Sequence, residues 1–149
     1  MDETEFREIY GGYEPKHCHF TLALRLGCAG CSRSQRQLIA ERETIGCLSR
    51  TGHARCGKVL QTLGDKAVFA LGVTRVGQEL SHRKRARVEC GGLEALAQLS
   101  GAALPDDIDG SLQRLQEAPG GLDAVPYGKV VRWISRYPQR GRRRGDRSG

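Results

Sequence analysis

The chain has 149 residues, the length of one domain, so we do not expect an enzyme with a separate cofactor-binding domain. Hydrophobic residues make up 38% of it, and no stretch without a charged residue reaches the roughly 18–20 residues that span a bilayer, which argues against membrane insertion. The 24 basic residues outnumber the 17 acidic ones, giving a net charge of +7.

The first third of the chain predicts an arm, a strand and a short helix. Residues 1–16 form the arm, since their helical apolar pattern is weakened by two glycines. Apolar residues alternate with others over 18–26, which is the strongest strand pattern in the chain. Gly27 ends that strand, a turn holding C-x2-C follows, and a serine at position 32 or 34 caps a helix that runs to about residue 43.

The rest of the chain is predicted to be helical. Residues 44–56 read as a loop with a short helix start, and 59–67 have helical spacing with a stop or kink at Gly64 and Asp65. Residues 68–76 fit a helix or a strand. Three more helices are predicted around 93–97, 108–115 and 130–137. The expected fold is mostly α, a small α+β domain over 17–138 with a cysteine-rich metal-binding part (17–58), a helical part (59–138) and a disordered basic tail (139–149).

Five of the six cysteines fall within residues 18–56, and this clustering predicts a metal centre. Cys28 and Cys31 form C-x2-C, a spacing that lets two thiolates reach one metal, and Cys47 and Cys56 complete a set of four. The acidic N-terminus does not resemble a signal peptide, so we expect a cytoplasmic protein whose thiols stay reduced. Four thiolates fit zinc or an iron–sulfur cluster.

The irregular spacing favours iron–sulfur over zinc, because zinc ribbons usually repeat the x2 knuckle. A zinc site that uses His53 with Cys28, Cys31 and Cys56 is the alternative. The other alternate ligands, Cys18 and Cys90, are expected to be buried, packed thiols.

The metal centre predicts an accessory, sensing or electron-transfer protein with a protein partner. A second alternative is a thiol redox protein, because a strand, C-x2-C and a helix in that order would lower a thiol pKa. No P-loop, G-x-G-x-x-G after a strand, H-E-x-x-H or G-x-S-x-G occurs, so catalysis is not the favoured interpretation.

Two basic runs suggest another alternative, a zinc-stabilised nucleic-acid-binding protein. The candidate phosphate contacts are Arg83, Lys84, Arg85, Arg87, Arg140, Arg142, Arg143 and Arg144. His17 and His19 are expected to face solvent, and the carboxylates at 106, 107 and 109 to cap a helix. Trp133 is expected to belong to the core, although bases stack on aromatic rings next to arginines in some proteins.

Overall fold

The computed structural model describes residues 16–39, 41–72, 79–102 and 105–138, which are mostly helical with one small antiparallel sheet. The strands are β1 (Lys16–His17), β2 (Ser34–Ile39) and β3 (Arg42–Cys47), with β3 in the middle. The helices are α1 (Thr21–Leu26), α2 (Arg50–Ala67), α3 (His82–Ala86), α4 (Gly92–Leu99), α5 (Ile108–Glu117) and α6 (Tyr127–Arg136). A small α+β fold, as predicted, fits this architecture. The predicted arm, except for its last residue, and the predicted tail lie outside the described residues.

The strand predicted over 18–26 is wrong, since most of this segment is helix α1. Phe20, Ala23 and Leu24 are buried, and their i, i+3, i+4 spacing matches one face of a helix. Only the start is extended, where the Cys18 N–H donates to the Ile45 carbonyl (2.9 Å). Gly27 does end the element, with φ 76°, a left-handed conformation that terminates a helix.

The helix predicted from 32 to 43 is also wrong, because these residues form most of a hairpin between β2 and β3. Ser34 pairs with Cys47 and Ile39 with Arg42, so Glu41 lies in the short connection between the two strands. Glu41 has φ 66°, the left-handed conformation that such tight turns use. The sequence at this point has neither glycine nor asparagine, the residues that usually indicate such a turn. Backbone pairing with β3 therefore decides the structure of β2.

Helix α2 begins within the segment predicted to be a loop with a short helix start, and it is longer there than predicted. Ser49 caps it, since its Oγ accepts a hydrogen bond from the Gly52 N–H (2.9 Å). The predicted helix over 59–67 is confirmed, but α2 continues through Gly64 and Asp65 without a stop. A 3₁₀ turn, Phe69–Leu71, follows it, and residues 73–76 of the ambiguous segment lie outside the described part.

The three helices predicted in the last third are confirmed as α4, α5 and α6. The basic run before them is helical too: it forms α3 and the first residue of a π-helical turn, Arg87–Gly91, that leads into α4. A short 3₁₀ turn, Gly121–Ala124, connects α5 to α6.

One apolar core joins the sheet to the helices. It contains Phe20 at the start of α1, Ile45 of β3, Leu63 of α2 and Ile134 of α6. All four are fully buried. The sheet and the start of α2 are thus held against the C-terminal helices by packing. Among the described helices, none is both long and apolar enough to cross a membrane.

Candidate functional site

Four free thiols, those of Cys18, Cys31, Cys47 and Cys56, line one small cavity. Its volume of about 10 Å³ is at the lower limit for holding one water molecule. The other wall residues include Phe20, Arg33, Ser34, Gly52 and Ile108. The other two cysteines of the described residues form a disulfide with each other. We call the four free cysteines the thiol group.

The sheet brings three members of the thiol group together because β3 is its central strand. Cys47 is the last residue of β3 and pairs with Lys16 of β1 on one side and with Ser34 of β2 on the other. Cys18 lies just after β1, and Cys31 lies just before β2, so both flank the end of β3. Cys56 comes from α2, which begins three residues after β3.

The turn that carries Cys31 is fastened to the N-terminal end of α5. The Gly30 N–H donates to the Pro105 carbonyl (3.0 Å), and the Ile108 N–H donates to the Gly30 carbonyl (2.8 Å). A Cβ at Gly30 would lie only 3.0 Å from the Asp106 carbonyl oxygen and would push the two backbones apart by a few tenths of an ångström, so glycine suits their close approach.

Asp107 adds a side-chain contact to this junction, since its Oδ1 accepts a hydrogen bond from the Ser32 N–H (2.9 Å). Burial works to raise the pKa of Asp107, but hydrogen bonds from Ser32 and Gly110 outweigh it and lower that pKa. The carboxylate therefore stays charged and holds the turn.

Asp109 is a wall residue whose role the sequence interpretation missed. Its side chain is 9% exposed, with Oδ2 3.6 Å from Arg33 Nε and Oδ1 3.3 Å from Arg55 Nη1. Arg55 also donates from Nε to Gln116 Oε1 (2.6 Å). One carboxylate between two guanidinium groups leaves a net positive charge beside the thiols.

Burial keeps the thiols protonated when nothing is bound to them. It raises the pKa of Cys18 to about 11 and that of Cys56 to about 12, and it raises the pKa of Cys31 as well. The Cys47 Sγ donates to the Ser49 carbonyl (3.3 Å). A metal that binds here must displace protons from these thiols.

Two imidazoles form one side of the cavity. His53 Nε2 donates to the His17 carbonyl (3.1 Å), and its ring packs on that of His19 with 4.1 Å between the centroids. Burial, His53 and His17 lower the pKa of His19, which keeps this ring neutral. His17 is exposed as expected, but His19 is half-buried and lines the cavity.

Cys28, predicted to be a ligand, instead forms a disulfide with Cys90, which was predicted to be a packed thiol or an alternate ligand. The Cα atoms of the pair lie 5.8 Å apart, although 62 positions separate them in sequence. This pairing removes both from the free thiols, and Cys18 takes the place of Cys28 beside the cavity.

The arrangement expected for a redox C-x2-C is reversed. A helix, α1, precedes Cys28 and a strand, β2, follows Cys31, so no helix begins at the motif. The pKa of Cys31 is raised by burial rather than lowered by a helix N-terminus.

The basic residues expected for a nucleic-acid-binding protein are partly engaged within the fold. Arg87 donates from Nη2 to the Ser135 carbonyl of α6, and Arg85 lies 3.7 Å from Glu89. Arg83 is exposed and Lys84 is half-buried on α3. The four arginines predicted at 140 and 142–144 lie outside the described residues.

Within the described ranges, no group of three or more His, Cys, Asp or Glu side chains is arranged to hold a metal ion as it stands. No protein-family model matches this chain, no curated protein matches it, and no solved structure matches it. Its own residues therefore carry the functional interpretation.

Proposed function

We propose that this protein carries a metal centre on Cys18, Cys31, Cys47 and Cys56. One observation carries the proposal: all four free thiols of the described chain, from separate segments, meet at one cavity. Four thiols from separate segments around one space are the donor set that soft metal centres such as zinc and iron–sulfur clusters take. This ligand set keeps three of the residues predicted from the sequence and replaces Cys28 with Cys18.

The donor set favours an iron–sulfur cluster over zinc. A tetrahedral zinc ion needs four sulfurs converging at about 2.3 Å from one point, and the thiols surround the cavity without such convergence. The sulfur ligands of a cluster are shared among two or four irons, so the four do not all converge on one point. Arg33 and Arg55 would offset the negative charge of the centre. Because the cavity is small, the cysteine side chains must turn outward to admit a cluster.

The size of the cavity also favours an accessory, sensing or electron-carrying role over catalysis. A space of about 10 Å³ beside the thiols does not hold an organic substrate. A protein of this kind acts on a partner protein, and that partner remains a prediction from the sequence.

The test is anaerobic purification followed by measurement of iron, inorganic sulfide and zinc per chain, together with visible absorbance. We expect iron and sulfide in the wild type and their loss in Cys18→Ser. The matched control is the double variant Cys28→Ser/Cys90→Ser, which keeps the thiol group and should keep the metal.

Three outcomes would contradict the proposal in different ways. Folded wild-type protein without metal would reject a metal centre. Zinc without iron would replace the cluster by a zinc site. Loss of metal in the double variant but not in Cys18→Ser would restore the ligand set that includes Cys28.

A further inference from the structure

A second concave surface lies between α4 and α6, apart from the thiol cavity. It has a volume of about 500 Å³, and its walls include Glu94, Lys129, Arg132, Trp133 and Arg136. It shares no wall residue with the thiol cavity. We call it the α6 groove.

The outer face of α6 is cationic and aromatic. Lys129, Arg132, Trp133 and Arg136 follow the i, i+3, i+4, i+7 spacing of one helix face, and all four are exposed. The opposite face, with Val130 and Ile134, is buried in the core. α6 contains no acidic residue.

The three cations of this face are available to a ligand. In the part of the chain that the structure describes, no carboxylate forms an ion pair with Lys129, Arg132 or Arg136. The one acidic residue of the groove, Glu94, accepts a hydrogen bond from Trp133 Nε1 (2.8 Å). Positive charge thus dominates the groove.

Trp133 is held at the surface instead of being buried in the core as predicted. Its indole N–H is tied to Glu94, and 37% of the residue remains exposed. A large aromatic ring that is fixed in place and exposed among cations matches the platforms on which nucleobases stack.

We propose that the α6 groove binds single-stranded nucleic acid, with a base stacked on Trp133 and phosphates on Lys129, Arg132 and Arg136. Stacking needs an unpaired base, so a duplex, whose bases face one another, does not satisfy Trp133. One exposed aromatic residue is also too little apolar surface to enter a membrane.

The sequence that follows α6 and one further arginine beside this helix are also basic, which favours an anionic ligand. Pro138 lines the groove, and the sequence after it carries five arginines and a single aspartate over residues 139–149. Arg87, the last residue of the basic run over 82–87, donates to the Ser135 carbonyl and so lies beside the same helix. Phosphate contacts of this kind give binding that weakens steeply with salt.

The test uses the full-length protein with a fluorescein-labelled oligo(dT) and oligo(U) of about 15 nucleotides, measured by anisotropy. Trp133 is the chain's single tryptophan, so its fluorescence reports stacking directly. We expect quenching on binding and about 10-fold weaker binding for Trp133→Ala, with most of the affinity kept in Trp133→Phe. Arg132→Gln should reduce the salt slope by about 0.7.

Arg42→Gln, which removes the same charge from an exposed position of β3, is the matched control and should change neither quantity. Circular dichroism and melting curves confirm that each variant folds. Unchanged affinity of folded Trp133→Ala would overturn the proposal. So would equal affinity for a duplex of the same length, or for a poly-glutamate peptide, which would make the groove a general anion or acidic-peptide site.

Discussion

Cys28 is bonded to Cys90, while Cys31, three residues further on, keeps a free thiol at the cavity. The disulfide ties the turn after α1 to the π-helical turn before α4. The two cysteines of one C-x2-C motif thus have different roles. Cys28 forms a structural disulfide, and Cys31 belongs to the thiol group. This division has consequences for stability and metal binding that separate experiments can measure.

Removing the disulfide should destabilise the protein without releasing a metal. It links residues 62 positions apart and so restricts the unfolded chain. We expect Cys28→Ser/Cys90→Ser to lower the free energy of unfolding by about 2–4 kcal/mol in urea titrations. Reductant should lower the stability of the wild type but not that of the double variant. A wild type that is insensitive to reductant would contradict the bond.

Metal binding should release protons and strengthen as pH rises. Burial raises the pKa of Cys18, Cys31 and Cys56, so these thiols carry protons at neutral pH and must lose them to bind a metal. Raising the pH removes the competing protons and therefore increases affinity. We expect release of about three or four protons per chain, measured by calorimetry in buffers of different ionisation enthalpy. Affinity that does not change with pH would exclude thiolate ligands.

Gly30→Ala should disturb the thiol group through the backbone. Its Cβ would lie 3.0 Å from the Asp106 carbonyl oxygen, so the turn before Cys31 must move away from α5. We expect a loss of about 1–3 kcal/mol in unfolding free energy and weaker metal binding.

Gly64→Ala on α2 is the control for this substitution, because its Cβ meets nothing within 4 Å. There alanine should stabilise the helix by about 0.5–1 kcal/mol and leave metal binding unchanged. Equal effects of the two substitutions would argue against a close junction at Gly30.

Glu89 should make stability fall as pH rises from about 4.5 to 7. Its side chain is buried and accepts the Ala23 N–H (2.9 Å), and burial raises its pKa from 4.5 to about 7. A carboxyl group whose folded pKa exceeds its unfolded pKa binds the proton more tightly when folded. It therefore favours folding at low pH, and this contribution is lost as the pH rises through that window.

Glu89→Gln keeps an acceptor for Ala23 without the buried charge. We expect it to be more stable than the wild type at pH 8 by about 1–3 kcal/mol, with little difference at pH 4. Glu43→Gln, at an exposed ion pair with Arg36, is the control and should leave the pH profile unchanged. A wild-type profile that is flat between pH 4 and 8 would contradict the assignment.

Local sequence determined the C-terminal helices α4, α5 and α6. Their apolar residues repeat at helical spacing, and glycine or proline follows each of them, so the pattern and the stop signals agree. The clustering of cysteines also indicated in advance which part of the chain holds the candidate site.

Tertiary contacts decided the elements of the cysteine-rich part. The alternation over 18–26 contains both a strand pattern and a helical triad, and burial of Phe20 with Leu24 in the core selects the helix. β2 has few apolar residues, and the turn at Glu41 lacks the usual turn residues. Its pairing with β3 could therefore not be predicted from the local sequence.

Tertiary structure also decided which cysteines meet. Spacing along the chain made Cys28 the natural partner of Cys31, yet the fold places Cys90 beside Cys28 and Cys18 beside the cavity. Asp109 and His19 join the site in the same way, through contacts with Arg55 and His53. The sequence by itself determined the C-terminal helices and showed which part of the chain is rich in cysteine. Only the fold decided the neighbours, because packing and strand pairing join residues that are far apart along the chain.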